Sequence, residues 1–229
     1  MKLAKDKPTE LYTTFALLKE KRACKKRYKY LGTMLGGTST YGRYTPIPLV
    51  TILEINGKED LFWVLKYRAA PKNQWKDIER MCRLCATDIA KRGFHYMQDS
   101  NIKEGLQNDL ETIRKLALTH ATTKEFATIA DKLKRQRPEL LESALYWIAT
   151  MLMYACSNNA GEGLEAAHTF LQYAIDAAYF PTNKARYSAE KRERAWKIQR
   201  LKKYLQNPNL GTRSKKAPSN QKETKHATA

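Results

Sequence analysis

Apolar residues recur at two different periods along this chain, and the change of period predicts its elements. Between Glu10 and Tyr30, Leu11, Phe15 and Leu18 fall at i, i+4 and i+7, a spacing that lays one apolar stripe along a helix. Thr9 precedes them, and its hydroxyl is placed to cap that helix. Residues 32–43 then carry four glycines among threonines and a serine, which predicts a flexible loop. Two short β-branched runs follow, Ile47 to Ile55 and Leu61 to Tyr67, separated by Asn56-Gly57. Runs of that length around an Asn-Gly pair predict a β-hairpin.

From residue 73 onward the period is that of helices. Asn73 is placed to cap a helix reaching about Arg92, with Trp75, Ile78, Cys82, Cys85 and Ile89 on one face and Gly93 at its stop. A second helix is expected from about Lys103 to Leu118, facing inward through Leu106, Leu110, Ile113 and Leu116 or Ala117. Thr122 and Glu125 form a capping box for a third, whose apolar positions are Phe126, Ile129 and Leu133. Pro138 suits the first turn of a fourth, running to about Ala155. Its Leu140 to Met153 stretch is apolar nearly all round, which places it at the centre of a bundle. Residues 157–161 form a turn, a fifth helix covers about Leu164 to Tyr179, and a sixth runs from about Ala185 to Leu205.

The expected fold is therefore mainly α, a bundle of five or six helices with an N-terminal β-hairpin. Residues 1–70 hold the basic first helix, the glycine-rich loop and the hairpin. Residues 71–206 hold the bundle, and residues 207–229 form a polar, Lys-rich tail expected to be disordered. No internal repeat is present. The longest uncharged apolar run, Ser143 to Cys156, falls short of the ~20 residues that a membrane span requires.

Charge changes the picture from a plain helical domain to a candidate binder of polyanions. Of 229 residues, 42% are apolar, enough for a real core, and the net charge is +19. The excess is not spread evenly. Residues 1–36 hold ten Lys/Arg and three Asp/Glu, a net of +7, and residues 182–229 hold fourteen and three, a net of +11. The intervening body is nearly neutral, with eighteen basic and seventeen acidic residues. Charge added for solubility alone would be dispersed, whereas two cationic ends indicate dedicated faces for phosphate.

The N-terminal face is expected to consist of Lys19, Lys21, Arg22, Lys25, Lys26, Arg27 and Lys29, with Arg43 in the loop. Tyr28, Tyr30, Tyr41 and Tyr44 are interleaved there as candidates for stacking unpaired bases. The C-terminal face is expected on the sixth helix: Lys184, Arg186, Lys191, Arg194, Lys197, Arg200, Lys202 and Lys203. Trp196, Leu201, Tyr204 and Leu205 anchor that helix, leaving Lys191, Arg194, Lys197, Arg200 and Lys202 to face outward.

Other chemistry is sparse. Gly36-Gly37-Thr38-Ser39 offers backbone N–H groups to a phosphate, but no Gly-Lys-Ser/Thr follows, so it is not a nucleotide-binding P-loop. Cys82-x-x-Cys85 is half of a zinc site without a second pair, and both cysteines fall on an apolar stripe, so buried free thiols are expected. His95, His120, His168 and His226 stand at no diagnostic spacing. The sequence thus reads as a non-catalytic, sequence-tolerant binder of RNA or single-stranded DNA, with no cofactor or metal. It is expected to be a subunit of a larger nucleoprotein complex, such as an RNA-guided defence effector or a ribosome-like particle. The alternatives are a nuclease with an unrecognised site and a basic protein- or membrane-interaction module. The N-terminus carries no secretory pattern, so a cytoplasmic protein with reduced thiols is expected.

Overall fold

The computed structural model describes residues 10–96, 100–119, 121, 123–136, 159–178, 180–208 and 210. Thr9, Thr122, the helix expected over Pro138 to Ala155 and the tail from 211 lie outside them.

The N-terminal segment follows a different plan from the single helix expected there. Strand β1 (Tyr12–Thr13) pairs antiparallel with β2 (Ile47–Pro48), Tyr12 opposite Pro48 and Thr13 opposite Ile47. Between them lie α1 (Phe15–Glu20), α2 (Lys25–Met34) and α3 (Thr38–Tyr41). Thr14 caps α1, its hydroxyl accepting from the Leu17 N–H at 3.2 Å. The helix stops where the Ala23 N–H reaches back to the Leu18 carbonyl and the Arg22 N–H to that of Lys19, with Arg22 at φ 60°. This is the paired hydrogen-bond closure that glycine ordinarily supplies at a helix end. Residues 32–43, expected as a loop, are the last turn of α2 and the short helix α3, joined through Gly36 at φ 83° and Gly37 at φ 100°.

The two runs expected to form a hairpin are helices, α4 (Leu49–Ile55) and α5 (Lys58–Lys66). A two-stranded antiparallel pair does stand near the N-terminus, but it joins only the first two residues of the first run, Ile47–Pro48, to Tyr12–Thr13. The reason is burial at helical spacing: Leu49, Ile52 and Leu53, then Leu61, Val64 and Leu65, all face the core. β-branched content was outweighed by that tertiary demand. Asn56-Gly57 is still a turn, with Gly57 at φ 90°. The Asn56 amide donates to Asp60 Oδ2 at 2.6 Å and to the Arg27 carbonyl at 3.2 Å, tying the turn to α2.

The rest of the described chain is α6 (Trp75–Gly93), α7 (Ser100–Leu118), α8 (Thr123–Gln136), α9 (Ala160–Ala177) and α10 (Asn183–Gln206), giving ten α-helices among the described residues. Asn73 lies in a 3₁₀ turn instead of capping α6, and Gln74 uses its side chain to accept from the Tyr12 N–H at 3.0 Å. Asn159 and Thr182 cap α9 and α10. Among the described residues α6 occupies the centre, packed along α9 and also against α7 and α10. Ile78, Met81, Cys82, Leu84, Cys85, Ile89 and Ala90 are all buried on it. The fit to α9 requires Gly93, because a Cβ there would overlap the Phe170 ring. At the other end of α9, a Cβ on Gly161 would lie 2.9 Å from the α5 backbone at Leu65 and Lys66. No described helix is long and apolar enough to cross a membrane.

Candidate nucleic-acid interface

The short helices α1 and α2 place the N-terminal basic cluster on the outside of the molecule. Lys19, Lys21, Arg22, Lys25, Lys26, Arg27 and Lys29 are all exposed. Lys21 stands 3.4 Å from Glu20, and Arg27 is 3.8 Å from Asp60 while donating to the Asn56 carbonyl at 2.9 Å. The side chains of Lys19, Arg22, Lys25, Lys26 and Lys29 make no ion pair or hydrogen bond among the described residues. Arg22 combines this freedom with a left-handed backbone that disfavours any side chain. Arg68 ends α5 in the same conformation, at φ 52°, yet its guanidinium bonds Glu79 at 3.0 Å and lies over the Trp75 ring.

A groove of about 750 Å³ runs beside these cations, lined by Lys19, Lys25, Tyr28, Lys29, Gly32 and Thr38 among others. It borders the close approach of α2 to α3, where a Cβ on Gly32 would stand 2.9 Å from the Thr38 methyl. The four candidate tyrosines divide into two kinds. Tyr28 and Tyr41 pack edge-on against Phe15 at 5.3 and 5.9 Å, and the Tyr41 hydroxyl donates to the Pro46 carbonyl at 2.9 Å. Tyr30 and Tyr44 are exposed, 49% and 73%, and the exposed Arg43 lies over the Tyr44 ring at 5.5 Å. Cys24, exposed at the start of α2, has its thiol pKa drawn down by the backbone N–H groups of Arg27 and Lys26.

The C-terminal helix requires a correction. Lys197 and Arg200, expected to face solvent, are respectively buried and half-buried. The inward stripe of α10 runs through Ala189, Glu193, Lys197, Leu201 and Leu205, one residue per helical turn, so two charged side chains lie on the core-facing line. Arg200 donates through Nε to Asp88 at 2.7 Å, and its Nη2 bonds the same oxygen. Lys202 pairs with Glu54 at 2.7 Å, and Arg186 with Asp176 at 2.7 Å and Glu190 at 3.1 Å. Lys184, Lys191, Arg194 and Lys203 remain exposed with no such partner among the described residues. Trp196 is half-buried, with the Arg92 guanidinium over its ring at 5.4 Å, while Leu201, Tyr204 and Leu205 anchor the helix as expected.

Two carboxylates that sequence reasoning passed over account for this. Asp88 accepts from Arg114 at 2.5 Å, from Arg200 and from the Tyr204 hydroxyl at 2.6 Å, joining α6, α7 and α10. Burial raises the Tyr204 pKa, and its hydrogen bond to Asp88 raises it further. Glu193, fully buried, accepts two bonds at 2.8 Å from the Arg92 guanidinium and one at 2.7 Å from the Tyr96 hydroxyl. Burial opposes its ionisation, but those bonds and the charges of Arg92 and Arg192 prevail and hold its pKa below the ordinary value. The available signal was a lone acid on an inward-facing helical line, Asp88 beside Ile89 and Glu193 four residues before Lys197.

Cys82 and Cys85 are buried thiols on α6, as their stripe implies; burial pushes the Cys82 pKa up to about 12 and that of Cys85 well above its ordinary value. Among the described residues, no group of three or more His, Cys, Asp and Glu is placed to hold a metal ion. Comparison of the chain with protein-family models, curated proteins and solved structures finds no match.

Proposed function

We propose that this chain binds nucleic acid without sequence preference through the exposed face of α1 and α2. RNA or a single DNA strand is the favoured ligand, and the role is that of a non-catalytic subunit in a larger nucleoprotein assembly. One observation carries this reading: Lys19, Arg22, Lys25, Lys26 and Lys29 stand exposed, three of them lining the groove, with no carboxylate among the described residues paired to any of them. Cations in that state attract a phosphate chain and release its condensed counterions. Tyr30 and Tyr44 supply open aromatic faces nearby, and stacking on such faces favours unpaired bases over a closed duplex. On α10, several of the basic side chains are already neutralised by acids of the same molecule, which gives that helix a smaller share of the interface.

Titration of the chain with RNA, single-stranded DNA, duplex DNA and anionic vesicles at graded salt tests the proposal. Five phosphate contacts predict that log affinity for a single strand falls against log salt with a slope of about −3.5. The triple variant Lys25→Glu, Lys26→Glu, Lys29→Glu is expected to lose most of that affinity and slope while keeping its helical content. Vesicles bound as tightly as RNA would point instead to an anionic membrane surface, and metal-dependent cleavage of the strand to a nuclease.

A further inference from the structure

Three of the basic residues on α10 surround a pocket that shares no lining residue with the α2 groove. The pocket has a volume of about 560 Å³ and is lined from three directions: the start of α5, the middle of α9 and one side of α10. Lys58 enters from α5, His168 from α9, and Tyr187, Lys191, Arg194 and Lys197 from α10. Lys197 is 7% exposed and has no carboxylate within ion-pair distance among the described residues; its Nζ has only the His168 carbonyl, at 3.5 Å. His168 is 4% exposed, and neither of its ring nitrogens has a hydrogen-bond partner among the described residues. Its ring contributes an edge contact to Phe62 at 4.8 Å, which does nothing for the nitrogens. Gly57, which also lines the pocket, provides no side-chain cap for the first N–H groups of α5.

Burying an unpaired ammonium beside an imidazole with no partner is unfavourable unless something else completes the site. The missing component must be anionic and rich in hydrogen-bond acceptors. Four cations, Lys58, Lys191, Arg194 and Lys197, line the pocket against two carboxylates; Glu59 pairs with Lys58 at 3.6 Å and Glu190 with Arg186 at 3.1 Å, which leaves Lys191, Arg194 and Lys197 without a paired carboxylate among the described residues. Tyr187 is 67% exposed and presents an aromatic face. The volume suits a ligand of nucleotide size. The Lys197 pKa is lowered to about 8 by burial and by Lys58, and that of His168 falls well below its ordinary value chiefly through burial, as groups in an uncompensated site do.

We propose that this pocket binds the phosphate of a nucleoside 5′-monophosphate or of a 5′-phosphorylated strand end, held by Lys58, Lys197 and Arg194, with the base on Tyr187. The site goes beyond the α2 face and does not rest on it. The test is calorimetric titration of the full chain with adenosine 5′-monophosphate, adenosine, inorganic phosphate, and one oligonucleotide bearing either a 5′-phosphate or a 5′-hydroxyl. The monophosphate is expected to bind and adenosine not to, with affinity falling at least tenfold in Lys197→Met and in Arg194→Ala. Arg194 is exposed, so its variant tests the site even where the buried substitution perturbs folding. A strand preferred for its 5′-phosphate assigns the pocket to nucleic-acid ends; a monophosphate bound with no such preference assigns it to free nucleotides. Adenosine binding as tightly as its monophosphate, no binding of the monophosphate, or affinity for it unchanged in both variants overturns the proposal. The charge-reversed α2 variant separates the two sites, since it should lose oligonucleotide affinity yet bind the monophosphate like the wild type.

Discussion

Arg22 shows how a single residue can reveal a division between stability and binding. It closes α1 at φ 60°, where glycine is unstrained, and its guanidinium has no partner among the described residues. A side chain in that conformation costs about 1 kcal/mol. Arg22→Gly is therefore expected to raise the unfolding midpoint in denaturant while weakening RNA affinity; a loss of both would mean that the guanidinium stabilises the fold. The cysteines permit an equally local test. Cys24 is exposed with its thiol pKa drawn down, whereas Cys82 and Cys85 are buried with theirs raised. Only the thiolate attacks an alkylating reagent, so brief iodoacetamide treatment of the native protein should label Cys24 and spare the other two, as read by peptide mass mapping.

At the scale of the element, α10 turns two charged side chains, Glu193 and Lys197, to its buried side, and its stability should follow the groups it pairs with. Removing Asp88 leaves Arg114 and Arg200 facing each other without their shared acceptor. Asp88→Ala is expected to cost about 3 kcal/mol, as measured by denaturant unfolding. Lys202→Ala, which removes a pair with the exposed Glu54, should change stability by less than about 1 kcal/mol.

The same helix makes stability depend on pH in a definite direction. The Glu193 pKa is lower in the folded state, so its contribution is complete above the unfolded value of about 4.3 and is lost as pH falls through the folded one. His168, facing Lys197 and Lys58, is likewise depressed on folding; the unfolded chain takes up a proton below about pH 6.5 that the folded one refuses. Lys197, its pKa lowered to about 8 on folding, already costs stability as pH falls through the alkaline range; at acid pH stability should fall from just below 6.5 and fall further in the carboxylate range. His168→Gln is expected to remove the upper part of that decline and Glu193→Gln the lower, while leaving the other part intact.

At the scale of the molecule, the uneven distribution of charge survives folding only in part. The N-terminal cations remain an open surface because they stand on the solvent side of α1 and α2, whose core side is Phe15, Leu18 and Leu31, and meet few acids. Arg186, Arg200 and Lys202 of α10 are instead paired within the structure, because Asp88, Glu54, Asp176 and Glu190 lie within reach. The +11 counted over residues 182–229 therefore overstates what that helix can offer a ligand. Charge reversal on α2 should accordingly weaken RNA binding more than charge reversal at Lys184 and Lys203, a comparison available from one filter-binding series.

What the chain itself determined is the set of described helices from residue 75 on, including α6 with its two buried thiols, together with the cationic N-terminal surface. Both follow from local rules: a 3.6-residue apolar period admits one kind of element, and a run of seven Lys/Arg with one acid cannot all be buried. Packing decided the rest. The two runs Ile47 to Ile55 and Leu61 to Tyr67 have the composition of strands, and only the burial of Leu49, Ile52, Leu61 and Leu65 together makes helices of Leu49–Ile55 and Lys58–Lys66. Lys197 looks like one more surface lysine until the line Ala189, Glu193, Leu201 turns inward and carries it to His168, because the face a side chain shows depends on which neighbour its helix meets.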